Sequence, residues 1–182
     1  MKPTFIIILS LLGASLLTIP LVFSDDDWRE YKQQSQGVDP VSTPLYKEEC
    51  GSCHMAYSPG LLPARSWQKM MNQLDDHFAD NAELDIEAHK TITNFLLNNS
   101  ADQSNYRRSR KLVNSLNNNG THLRITEIAY FKHEHDEIPA KMVKNNPQVN
   151  SFSNCNACHT KAEQGLFDEH SIRIPGFGRW DD

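Results

Sequence analysis

All four cysteines of the 182-residue chain fall in two copies of one pattern: Cys50-Gly51-Ser52-Cys53-His54 and Cys155-Asn156-Ala157-Cys158-His159. No other feature restricts the fold so tightly. Two thiols three residues apart lie on one side of a helical turn, and the residue after them carries an imidazole. That spacing lets the thiols form thioethers with the two vinyl groups of a haem while the histidine reaches the iron from one side, which is how a c-type haem is attached. A disulfide, a redox dithiol or a zinc site also uses paired cysteines. None of these accounts for a histidine after both pairs, and the pairs lie about 100 residues apart, too far for a zinc ribbon. The motifs therefore imply two covalently bound haem c groups, with Cys50, Cys53, Cys155 and Cys158 as attachment points and His54 and His159 as proximal iron ligands.

Composition agrees with bulky cofactors. Hydrophobic residues make up 38% of the chain, and many of them lie in the first two dozen positions. The remainder is poor in apolar mass, and chains of that kind need a staple or a cofactor to complete a core. The net charge of −5 argues against nucleic acid as a partner. At the N-terminus, Lys2 precedes a nearly continuous apolar run from Phe5 to Phe23, closed by Asp25, Asp26 and Asp27. Val22-Phe23-Ser24 has small residues where a signal peptidase needs them, so residues 1–24 read as a signal peptide and the mature chain as periplasmic. A run of this length can also span a bilayer as an uncleaved anchor. It contains no cysteine for lipid attachment.

Along the rest of the chain the pattern is helical, without convincing strand alternation. A helix is expected from Ser42 or Thr43, with Pro44 in its first turn, to the first motif. Ser66 is a candidate N-cap for a helix to about Phe78, with Trp67, Met70, Met71, Leu74 and Phe78 on one face. Asp85 can cap a third helix, to about Leu97. Segments 98–105 and 114–120 are rich in Asn, Ser and Gly and flank a short basic helix with Arg107, Arg108, Arg110 and Lys111. A further helix is expected from Thr126 to about Asp136, stopping before Pro139. The fold class is thus mainly α, with long irregular loops and two small haem-packed halves. Residues 25–100 hold the first haem, 101–120 form a linker, and 121–182 hold the second.

Each iron needs a sixth ligand or stays open. His77 follows Leu74 by three residues on the apolar stripe of its expected helix, and His89, near Ile86 and Leu96, rivals it. His135 shares a face with Phe131 and Ile128, whereas His133 points elsewhere. Met142 is a loop methionine that could serve the second iron, and His122 and His170 sit in loops where solvation is the simpler fate. The basic cluster at 107–111 is a possible docking patch, though a solvated helix face is the plainer reading.

Taken together, these residues resemble the periplasmic dihaem cytochrome c family. The resemblance runs through Tyr46-Lys47-Glu48-Glu49, Ser66-Trp67, His77-Phe78, Leu123-Arg124-Ile125-Thr126 and Asn154 with the second motif, as far as Ile174-Pro175. It implies bis-histidine ligation, with His77 and His135 as the distal ligands, and a first domain similar to a small single-haem cytochrome c. It also implies electron exchange between a membrane cytochrome b donor and a soluble oxygen-binding haem protein acceptor. His122 and His133 are additions to that pattern. The function expected is one-electron carriage, without catalysis. The alternatives are a dihaem peroxidase or small-molecule reductase, which needs one open haem site, and a sensor module, which needs a signalling domain.

Overall fold

The computed structural model describes residues 37–116 and 120–180. The expected signal peptide and residues 117–119 of the Asn-rich segment lie outside these. The described residues are mainly helical, with one small antiparallel pair of strands. Among them, no helix is long and apolar enough to cross a membrane.

Helix α1 spans Pro44–Cys50, with Pro44 at its first position, where a missing N–H costs nothing. It buries Tyr46 and delivers Cys50 at its C-terminus. Helix α2, Ala64–Met71, buries Ser66, Trp67 and Met71. Ser66 therefore packs inside the helix instead of capping it, and Pro63 takes the cap position. The expected continuation to Phe78 does not form. The chain leaves α2 at Asn72 and makes a single 3-10 turn over Leu74–Asp76. A longer helix would have placed Asp75 and Asp76 in its last turn, against the negative end of the macrodipole.

Helix α3, Ile86–Asn98, begins where expected. The Asp85 carboxylate accepts from the N–H groups of Glu87 and Ala88, both at 2.9 Å. It packs against α2, so that Trp67, Met71, Ile92 and Leu96 share one core. Helix α4, Arg107–Asn114, is the short basic helix. Arg107, Arg110 and Lys111 are exposed, while Leu112 enters that core and Ser109 is buried beside the turn at Pro59–Leu61.

The helix expected over 126–136 is divided. A 3-10 turn, Ile125–Glu127, is followed by Ile128 in extended backbone and then by α5, Ala129–His133. Ile128 is fully buried, and the extended residue is what carries its side chain into the core. Helix α6, Cys155–Cys158, is a single turn holding the second cysteine pair. Strands β1, Arg173–Ile174, and β2, Gly178–Arg179, form a hairpin in which Arg173 faces Arg179 and Ile174 faces Gly178. Gly176 turns that hairpin at φ +79°, a conformation that favours glycine.

The two motif-bearing parts are tied together at several points. Val38 N–H donates to the Gly165 carbonyl at 2.9 Å, and a Cβ at Gly165 would collide with the Val38 carbonyl. Tyr57 donates its hydroxyl to the Ser153 carbonyl at 2.6 Å, and Arg108 donates to the Phe167 carbonyl at 3.0 Å.

Candidate functional site

The two motifs build two sites of similar design and unequal enclosure. At the first, α1 ends in Cys50, and the chain turns through Cys53 to present His54. Cys53 and His54 are exposed. The His54 Nδ1 lies 2.8 Å from the Met55 carbonyl, so that nitrogen is the donor and Nε2 keeps its lone pair for a metal. Opposite stands His77. It sits on the tight turn that follows the 3-10 segment, not on a helix face. His77 N–H donates to the Asp80 carbonyl at 2.7 Å, and Asp80 N–H returns to the His77 carbonyl at 3.2 Å. The two residues between, Phe78 and Ala79, have φ of +58° and +79°, the left-handed backbone that such a turn demands. The His54 and His77 rings lie 6.2 Å apart and 23° from parallel. Phe78 packs edge-on to His77 at 4.9 Å, the Arg124 guanidinium lies 3.9 Å from the Phe78 ring centre, and Tyr57 lies 4.9 Å from His54. A hollow of about 270 Å³ borders His77, Met70 and Leu123.

At the second site, α6 holds Cys155 and Cys158 and ends at His159, whose N–H donates to the Cys155 carbonyl at 2.8 Å. His135 comes from the turn after α5. Its Nδ1 lies 2.8 Å from the Phe131 carbonyl and its ring stacks on Phe131 at 3.9 Å. Phe131 precedes it by four residues, the spacing that the face argument used, although the helix itself has ended. The His135 and His159 rings lie 6.1 Å apart and 72° from parallel. Between them opens a cavity of about 310 Å³, walled by Phe131, Phe152, Phe167, Val149 and Ile172.

These distances suit a metal held between two imidazoles. Metal–imidazole bonds are about 2 Å long. Two such bonds on opposite sides of one ion therefore place ring centres about 6 Å apart. Burial also favours the neutral form of three of the four imidazoles. Burial pushes the His159 imidazole down to about 4, with His135 and Arg108 adding to the effect and Asp168 opposing it. Burial likewise lowers His135 and His77, the latter helped by His54. Neutral imidazoles are what iron ligation needs. Burial raises the Cys155 thiol to about 11 and, with Glu49 nearby, the Cys50 thiol to about 11. The four cysteines are unbridged, and His159 Nδ1 is buried without a hydrogen-bond partner among the described residues.

The remaining candidates go elsewhere. His89 Nε2 lies 2.9 Å from the Met71 carbonyl. The His133 side chain is 79% exposed and faces Asp136, and His122 faces Glu127. His170 is exposed. Met142 is not among the residues walling the cavity. Residues the sequence did not single out also build the second site. Arg108 lines it, although the other basic residues of α4, Arg107, Arg110 and Lys111, are exposed. Phe152 and Phe167 could have been suspected only from their closeness to the second motif. Tyr57 carries no sequence signal beyond following the first motif by three residues.

Comparison with known proteins points one way. The model of the dihaem cytochrome c family matches residues 46–167. A dihaem cytochrome c from Shewanella baltica OS155, known from an X-ray structure, is 44% identical, with a TM-score of 0.63 over 76% of this chain and 97% of its own. A dihaem cytochrome c from Rhodobacter sphaeroides is 43% identical, with a TM-score of 0.63 over 72% of this chain and 99% of its own. No curated protein gives a significant match.

Proposed function

This chain belongs to the dihaem cytochrome c family, and from that premise we propose that it is a periplasmic one-electron carrier whose two irons are each held by two histidines. Membership brings two covalently bound haem c groups, at the Cys50–Cys53 and Cys155–Cys158 motifs. Each bound haem supplies an Fe(III)/Fe(II) couple that gains or loses one electron. The observation that carries the reading is the paired geometry, with His77 6.2 Å from His54 and His135 6.1 Å from His159. Two histidines holding each iron would leave no coordination site for a substrate.

Each residue then has a role. Cys50, Cys53, Cys155 and Cys158 anchor the cofactors, and His54 and His159 serve as proximal ligands. His77 and His135 close the opposite faces. The carbonyls of Met55 and Phe131 fix the tautomers of His54 and His135 and would strengthen them as donors, while a second histidine in place of a methionine would lower the potential. Phe131, Phe152 and Phe167 keep water from the second site and hold its ligands still, so an electron can arrive with little rearrangement.

Export is supported by the apolar run Phe5–Phe23 and the Val-Phe-Ser site that follows. The donor we propose is a membrane cytochrome b and the acceptor a soluble oxygen-binding haem protein, on the strength of the family resemblance. The test is an optical spectrum of the holoprotein oxidised, reduced, and reduced under carbon monoxide. Two low-spin haems per chain, untouched by carbon monoxide and lacking the methionine–iron band, are expected. A carbon monoxide shift in either haem would favour an enzyme with an open site.

A further inference from the structure

Arg108 is the one residue of the basic segment 107–111 whose charge is turned inward. Its Nη1 donates to the Tyr130 hydroxyl at 3.1 Å and lies 3.6 Å from a Glu134 oxygen, and its Nη2 donates to the Phe167 carbonyl at 3.0 Å. The guanidinium carbon lies 5.9 Å from the ring centres of both Tyr130 and Phe167. Its Nε is buried and has no hydrogen-bond partner among the described residues. The residue lines the cavity that also holds His135 and His159.

We propose that Arg108 sets the reduction potential of the second site, raising it above that of the first, so that a single electron on the chain rests on the second iron. The inference rests on the bis-histidine reading. The physics is a charge balance. An oxidised iron carries one more positive charge than a reduced one. A fixed cation nearby, and burial in a low-dielectric surround, both penalise the oxidised state. Nothing else changes: the electron moves from the first iron(II) to the second iron(III), and no bond forms or breaks.

Opposing charges are present. Asp136, Glu137 and Glu169 border the cavity and are exposed, where water and salt screen them, whereas Glu134, 3.6 Å from Arg108 and 29% exposed against 24% for the arginine side chain, offsets part of its charge. Hydrogen bonds to the Tyr130 hydroxyl and the Phe167 carbonyl hold the Arg108 guanidinium at the cavity wall, on the side of the site. The first site has Arg124 over Phe78 and Asp80 beside His77, both exposed. Only at the second site is the cation held inside the wall.

The experiment is a redox titration of the holoprotein followed by low-temperature electron paramagnetic resonance. The ring angles label the sites: near-parallel imidazoles, 23°, give a rhombic low-spin signal, and crossed ones, 72°, a highly anisotropic signal. On reduction, the anisotropic signal should disappear first. Arg108→Gln should shift the equilibrium between the sites by roughly tenfold toward the first, about 59 mV for one electron. Arg108→Lys, which keeps the charge, should retain most of the difference. If the rhombic signal of the unaltered protein disappears first, or if Arg108→Gln leaves the equilibrium unchanged, the proposal is overturned. Should Arg108→Gln fail to load its second haem, the order in the unaltered protein and the Arg108→Lys titration still decide. A high-spin signal in place of either one would overturn the bis-histidine reading and this inference with it.

Discussion

The two sites share a motif and a ring-to-ring distance and differ in everything that surrounds them. The first is built on a helix end and a tight turn, with His54 and Cys53 exposed and few apolar neighbours beyond Phe78, Met70 and Tyr57. The second is enclosed by three phenylalanines, by Val149 and Ile172, and by Arg108. The first leans on a core of protein side chains formed by α1, α2 and α3. The second has a smaller set of buried side chains, among them Val143, Val149, Ile172 and Ile174, beside an apolar cavity, so a bound haem would add to its packing. A cysteine–histidine motif thus specifies attachment and one ligand, while potential, access and stability are set by what the rest of the chain brings to it.

The sharpest way to break this comparison is to remove the attachment points at each site in turn. Replacing Cys155 and Cys158 by Ala should be far more damaging than replacing Cys50 and Cys53. The second cavity is walled by Phe131, Phe152, Phe167, Val149 and Ile172, whereas few apolar side chains border the first hollow, so losing the cofactor would strip packing from more apolar surface at the second site. Thermal unfolding followed by far-ultraviolet circular dichroism should show loss of the cooperative transition for the second pair and only a lowered midpoint for the first. Equal effects would mean that the enclosure of the second site contributes nothing.

Next in size is access. His77→Ala and His135→Ala each open one iron face. Carbon monoxide should bind the first variant at least roughly tenfold faster, equivalent to about 1.4 kcal/mol of barrier, because Phe131 and Phe152 wall the second site. Flash photolysis of the reduced carbon monoxide complexes measures this directly. Phe152→Ala should then cost about 2 kcal/mol in denaturant unfolding and narrow the difference between the sites.

Two smaller effects test the supports. Ala79→Gly should stabilise the holoprotein by about 1 kcal/mol, since Ala79 sits at φ +79° in the turn that presents His77. Asp85→Ala should cost about 1 kcal/mol through the lost cap of α3 and leave both haem spectra unchanged. If either spectrum moves, α3 does more for the sites than scaffold them.

Much of this was legible in the sequence, for identifiable reasons. The covalent attachment pattern is local, so four cysteines and two histidines sufficed for it. Asp85 as a cap and Pro44 in a first turn are equally local signals, and both appear as expected. His77 and His135 were singled out on helical faces, yet both reside on turns. The histidine expected at 77 on a continuous helix is instead offered by a bend that Asp75 and Asp76 favour. At 135 the four-residue relation to Phe131 survives although α5 stops at His133. The hairpin at 173–179 has two residues per strand, too few to show alternation. Arg108 was hidden among like-charged neighbours, because sequence does not say which residue of a short basic helix faces inward. The enclosure of the second site depends on Phe152, Phe167 and Ile172 lining one cavity with Phe131 of α5 across long stretches of chain, and no local pattern encodes that.

The central claim is that each of two haems is held between two histidines. Its most direct test is the low-temperature electron paramagnetic resonance spectrum of the fully oxidised holoprotein. The account predicts two low-spin signals of equal weight, one rhombic from the rings 23° apart and one highly anisotropic from the rings 72° apart. A high-spin signal amounting to one haem, or a single low-spin species, would contradict it.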